Sequence, residues 1–94
     1  MIRACLCYYS HERCNVCRVL KPKVAQFIRE TFPMVALFYV DVEQFPELAA
    51  QAQVFTVPTI KVFFEGRESF QKSRNVSMND LAAAITRPYC LLFE

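Results

Sequence analysis

The chain has 94 residues, 54% of them hydrophobic and only one of them glycine, a composition that can order one compact core and excludes a low-complexity or disordered polypeptide. Eleven Lys and Arg against nine Asp and Glu leave a net charge of +2, too small and too evenly spread for a nucleic-acid surface or an anionic membrane partner. No run reaches the roughly 18 apolar residues of a membrane span, and Met1–Cys7 is too short for a secretory signal, so one soluble, non-exported domain over residues 1–94 is expected.

Ile2 to Tyr9 is almost unbroken apolar sequence, which suits a central strand buried on both faces. From Val16 the apolar residues Val16, Leu20, Val24, Phe27 and Ile28 follow the spacing of an amphipathic helix ending near Phe32-Pro33, with Pro22 expected to kink it. Met34 to Val42 is a second apolar run of strand length, after which Pro46 and Glu47 open a short Ala-rich helix over Leu48 to Gln53. Val57 to Phe64 is β-branched and aromatic. Glu65-Gly66-Arg67 then turns the chain into a weaker strand around Glu68 to Gln71, an antiparallel hairpin. Ser77-Met78-Asn79-Asp80 has the form of a capping box and starts a last helix through Ile85. Pro88 falls just beyond that end, and Tyr89 to Glu94 forms an unusually apolar tail expected to pack down or bind a partner. The order β-α-β-α-β-β-α implies a mixed sheet with two parallel strands, an antiparallel hairpin and helices on both faces.

Cysteine usage narrows the chemistry. Five cysteines, at positions 5, 7, 14, 17 and 90, are poor arithmetic for a secreted disulfide framework and fit a reducing cytoplasm, where a close pair is catalytic or metal-binding. Cys14-Asn15-Val16-Cys17 falls where the first strand hands over to the first helix, so both thiols occupy one face of the first turn. Unpaired N–H groups and the positive end of the helix dipole favour a thiolate there, moving a thiol pKa from about 8.5 into the ~3.5–7.5 range. Cys14, nearer the helix end and beside Arg13, is the candidate nucleophile, and Cys17 the resolving thiol. A competing use of the pair is half of a zinc site, with Cys5, Cys7, His11 or Cys90 completing it. Cys5 and Cys7 are expected to pack as small hydrophobes and His11 to be a solvated loop residue.

Strand, CxxC, helix with a proline five residues after Cys17, strand, helix, and then Thr56-Val57-Pro58-Thr59 before a hairpin resembles the thioredoxin superfamily over nearly the whole chain. Pro58 lies forty-four residues after Cys14, and Gly66 and Ser77 fall at the family's hairpin glycine and last-helix cap. The resemblance implies a thioredoxin-like fold with a central mixed four-stranded sheet and three flanking helices, lacking the N-terminal strand and helix of full thioredoxins, a glutaredoxin-like minimal start. It also implies that Pro58 is a cis-proline facing the disulfide, that Thr56, Val57 and Pro58 bind substrate, and that Val57 offers backbone groups to an extended peptide. Arg13 stands where the family has Trp, Asn15-Val16 where it has Gly-Pro, and Tyr8 where it has a buried acid. Arg13, Asn15 and Val16 are therefore expected to modulate the pair, and water or Glu43 to accept the Cys17 proton. Tyr9-Ser10 resembles glutaredoxins, but their Gly-Gly segment is missing.

The activity expected is reduction of protein disulfides with no bound cofactor and no metal, recycled by a reductase or a low-molecular-weight thiol. The alternative is a thioredoxin-fold binding module that holds a partner near Pro58 or the apolar tail without turnover.

Overall fold

The computed structural model describes residues 2–94, so Met1, part of the N-terminal reading above, lies outside the described residues. The chain runs β1 (Ala4–Ser10), α1 (Asn15–Thr31), β2 (Ala36–Asp41), α2 (Pro46–Gln51), β3 (Thr59–Phe64), β4 (Arg67–Ser73) and α3 (Met78–Phe93). The sheet order is β2-β1-β3-β4, with β1 parallel to β2 and antiparallel to β3, and β3 antiparallel to β4. Strand β1 is central, as its apolar run predicts.

Alternation along β1 divides the molecule into two packing layers. Ala4, Leu6 and Tyr8, each at most 1% exposed, meet Leu20, Val24 and Ile28 of α1 and Leu81, Ile85 and Tyr89 of α3, with Ile60 and Val62 of β3 beneath them. On the opposite face Tyr9 packs with Ala49 of α2 and Val54, and Cys7, Val40 and Ala52 lean on that smaller cluster. Burial on both faces is thus complete on one side only: Cys5 and Cys7 are partly exposed and lie outside the buried core, because α2 is six residues long and covers only part of its face.

The buried stripe of α1 is Cys17, Leu20, Val24, Ala25 and Ile28. Val16, counted on that stripe from its spacing, is 57% exposed, since the stripe passes one residue further round the helix through Cys17. Strand β3 begins at Thr59 rather than Val57, as Pro58 has no N–H to give the ladder. The hairpin that follows is a two-residue loop, Glu65 and Gly66, both at positive φ (52° and 81°), the backbone a primed turn requires.

The C-terminus departs most from expectation. Instead of ending at Ile85 with an apolar tail, α3 continues to Phe93 with Pro88 inside it. An interior proline costs about 3 kcal/mol, and aromatic packing offsets this. The Tyr89 ring stacks edge-on with Phe32 at 5.1 Å and tilts against Phe93 at 4.9 Å. Its hydroxyl accepts the Met34 N–H at 3.2 Å, and Arg3 lies 5.6 Å over the Phe93 ring. At the other end, the Ser77 and Asp80 side chains form the complete capping box. Tyr89→Ala is therefore expected to cost about 3 kcal/mol and Ser77→Ala about 1 kcal/mol in urea unfolding; unchanged stability of Tyr89→Ala would mean that the last turns do not dock.

Candidate active site

The carboxyl end of β1 delivers the chain into the loop His11–Arg13, whose turn closes when the Cys14 N–H donates to the His11 carbonyl at 3.2 Å. Cys14 is then the N-cap of α1: its backbone is extended (φ −87°, ψ 108°), and its sulfur accepts the Cys17 N–H at 3.2 Å. A sulfur in this position takes the place of the usual Ser or Asp cap oxygen. No acidic side chain sits in the first turn, so no fixed anion competes for its N–H groups or cancels the dipole at the sulfur.

Cys14 and Cys17 are joined as a disulfide with Cα atoms 5.2 Å apart. Their exposures differ: Cys14 is half-buried at the helix tip, whereas Cys17 is 2% exposed and belongs to the main core.

Tyr8 lies beneath the pair. It is fully buried, and its hydroxyl donates to the Cys17 carbonyl at 2.8 Å, one turn before Pro22, whose missing N–H leaves the neighbouring Arg18 carbonyl without its helical donor. Burial, reinforced by Tyr39, pushes the Tyr8 hydroxyl up to about 12. A phenol that donates to a carbonyl and ionises near 12 cannot accept a thiol proton at neutral pH.

The other residues singled out from the sequence divide into those gathered at the pair and those directed elsewhere. Arg13 does not present a free cation to Cys14, since its guanidinium pairs with Glu43. Glu43 in turn sits 4.0 Å from His11 Nδ1, so His11 is a partly buried member of this charged group and not a solvated loop residue. Asn15 and Val16 face outward in the first turn and border a groove. Cys7, on the opposite face of the sheet, is held as a thiol: burial and the neighbouring Cys5 thiol push it up to about 11, which keeps it protonated at neutral pH. Among the described residues, no three His, Cys, Asp or Glu side chains converge as metal ligands, so no second ligand pair is assembled for the zinc alternative. No helix among them is long and apolar enough to cross a membrane.

Thr56, Val57 and Pro58 form the segment leading into β3. The Val57–Pro58 peptide bond is cis, Pro58 is fully buried, and Val57 packs against the same core as Cys14. Thr59 pins the segment, its hydroxyl donating to the Thr56 carbonyl at 2.7 Å and meeting Ser73 Oγ at 2.8 Å. Arg74 closes it from the other side, its N–H donating to the Pro58 carbonyl at 2.8 Å and its Nε to Thr56 Oγ1 at 3.4 Å. Sequence reading missed Arg74. Its only local signal is its position three residues before the Ser77 cap, and its contacts appear once β4 is paired with β3.

Native-state titration followed by phenolate absorbance is expected to show a tyrosine ionising near pH 12 that Tyr8→Phe removes. Because the folded pKa lies above the unfolded value of 10.0, Tyr8 supports the fold fully below about pH 10, and this contribution is lost as pH rises toward 12. Tyr9 is also raised, by burial first, so Tyr8→Phe is expected to reduce the alkaline loss of stability without abolishing it.

The geometry agrees with what the chain is similar to. A family model described as Thioredoxin matches residues 2–87. The thioredoxin-like protein YdfQ of Bacillus subtilis is 30% identical over 84 residues, covering 89% of this chain and 74% of that protein. Among solved structures, thioredoxin 1 of Thermosipho africanus superimposes with a TM-score of 0.84 at 26% identity over 96% of this chain and 99% of that one. Fasciola hepatica thioredoxin gives 0.80 at 31% identity, covering 92% and 81%. With its redox-capable cysteine pair at the tip of α1, the chain belongs to the thioredoxin family.

Proposed function

We propose that the protein reduces disulfides in other proteins. The observation that carries this reading is that Cys14 is both the less buried cysteine of the disulfide and the N-cap of α1, while its partner is buried behind it. In the reduced protein, the Cys14 thiolate attacks one sulfur of a substrate disulfide. A Cys14–substrate bond forms as the substrate S–S bond breaks, and the other substrate sulfur leaves as a thiolate. The Cys17 thiolate then attacks the Cys14 sulfur, the Cys14–Cys17 bond forms, and the second substrate sulfur leaves. Two electrons pass from the protein to the substrate, and a reductase or a low-molecular-weight thiol returns them.

The substrate would lie along Thr56, Val57 and Pro58. No loop or cap backbone hydrogen bond among the described residues engages Val57, which leaves its N–H and C=O for an extended peptide. For the Cys17 proton, Tyr8 is a donor and Glu43 is held by Arg13. Water is the acceptor on this reading, entering through a cavity of about 540 Å³ lined by Ser10, His11, Asp41 and Cys17. A reducing compartment such as the cytoplasm belongs to the same proposal, supported by the odd number of cysteines.

The missing carboxylate beneath the pair favours one other reading, a thioredoxin-fold module that holds a partner near Pro58 without turnover. Two experiments separate them. In insulin reduction, Cys14→Ser is expected to abolish activity and Cys17→Ser to accumulate a covalent adduct; turnover by Cys14→Ser would overturn the proposal. Tyr8→Asp, which places a carboxylate beneath Cys17, is expected to speed resolution of a preformed mixed disulfide about tenfold at some cost in stability. Equal rates before and after that substitution would show that proton acceptance does not limit the second step.

A further inference from the structure

The groove beginning at Asn15 and Val16 encloses about 660 Å³ and runs from the CxxC turn between α1 and the β4–α3 loop. Its floor is apolar. Val16 and Val19, 57% and 59% exposed, have no covering element, and Leu20 and Val76 lie deeper. Its rim carries three cations, Lys23, Lys72 and Arg74, and a single carboxylate, Asp80. That carboxylate is already taken by Lys72, whose Nζ lies 3.3 Å from its Oδ2. Lys23 and Arg74 have no carboxylate within 4.0 Å among the described residues.

Arg74 is also held in an unusual way. Its φ of +69° is left-handed backbone, which glycine, asparagine or aspartate accommodates and a long side chain rarely adopts. Two hydrogen bonds keep it there, its N–H on the Pro58 carbonyl and its Nε on Thr56 Oγ1, so its guanidinium is held between the groove and the Thr56–Pro58 segment. An apolar floor that starts in the CxxC turn at Asn15 and Val16, under a rim on which Lys23 and Arg74 are unpaired among the described residues, is complementary to one kind of chain: an extended segment with an apolar residue to bury and a carboxylate to present.

We propose that this groove selects acidic disulfide-bearing peptide segments, with Arg74 as the residue that determines the preference; the inference rests on the disulfide-reductase reading for its substrate but not for its test.

The test uses the Cys17→Ser protein and peptides whose cysteine carries a thionitrobenzoate leaving group. Cys14 attacks the peptide sulfur, the peptide–Cys14 bond forms, and thionitrobenzoate departs as a coloured thiolate, so the rate is readable whether or not the protein turns over a protein disulfide. Peptides identical except for Glu, Gln or Lys beside the cysteine are expected to react in that order. The Glu peptide should react about fivefold to tenfold faster than the Lys peptide at low ionic strength, with the contrast shrinking in 0.5 M salt. Arg74→Asn, which tolerates the same backbone, is expected to bring the ratio below about twofold, and Arg74→Lys to restore part of it. Equal rates for the Glu and Lys peptides, or a ratio unchanged in Arg74→Asn, would overturn the proposal. Failure of the reductase reading would appear separately, as absent insulin reduction by the unaltered protein.

Discussion

The hydrogen bond from the Cys17 N–H to the Cys14 sulfur is the interaction on which the site depends. It makes the Cys14 sulfur the cap of its own helix, so the group proposed to attack is also the group that satisfies the first turn. The stabilisation follows the charge: a thiolate is a better acceptor than a thiol, and the aligned peptide dipoles of seventeen-residue α1 favour it further. Much of the fold serves to hold that turn still. Central β1, fully buried on its α1 side, sets the position of the loop, and the Cys14 N–H to His11 carbonyl bond orients the cap.

The same placement gives the two sulfurs different surroundings. Cys17 is fixed in the core by the packing of α1 on β1, and Tyr8 secures its carbonyl from below. That hydroxyl is a structural anchor in a place where a proton acceptor would otherwise be useful, so the site gains a rigid first turn and, in the proposed reaction, leaves the second step to solvent. The Arg13–Glu43 pair has a related effect, since it removes a cation that sequence proximity assigns to Cys14 and leaves the helix tip as the main source of positive potential there.

Much of this architecture is legible in the sequence, because it rests on local signals. The apolar run of β1, the 3.6-residue stripe of α1, the Glu65-Gly66 turn and the Ser77 capping box are each decided by residues within a few positions of one another. The CxxC spacing at a strand-to-helix junction likewise locates the pair. What escapes is set by distant contacts. Pro88 reads as a helix end because the local cost of an interior proline is plain, while the aromatic packing of Tyr89 on Phe32 that offsets it depends on residues 57 positions apart in sequence. The pairing of Glu43 with Arg13 and His11, and the contacts of Arg74, escape for the same reason. Their partners lie across the fold, and a positive-φ arginine has no sequence signature.

If the cap position activates Cys14, the pKa of that thiol in the reduced protein is where the effect is read most directly. Thiolate absorbance at 240 nm, compared between the unaltered protein and Cys14→Ser, isolates its titration. The account predicts a midpoint below about 7.5 for Cys14. A midpoint at or above the ordinary thiol value of about 8.5 would contradict it, because the cap would then confer no stabilisation on the anion.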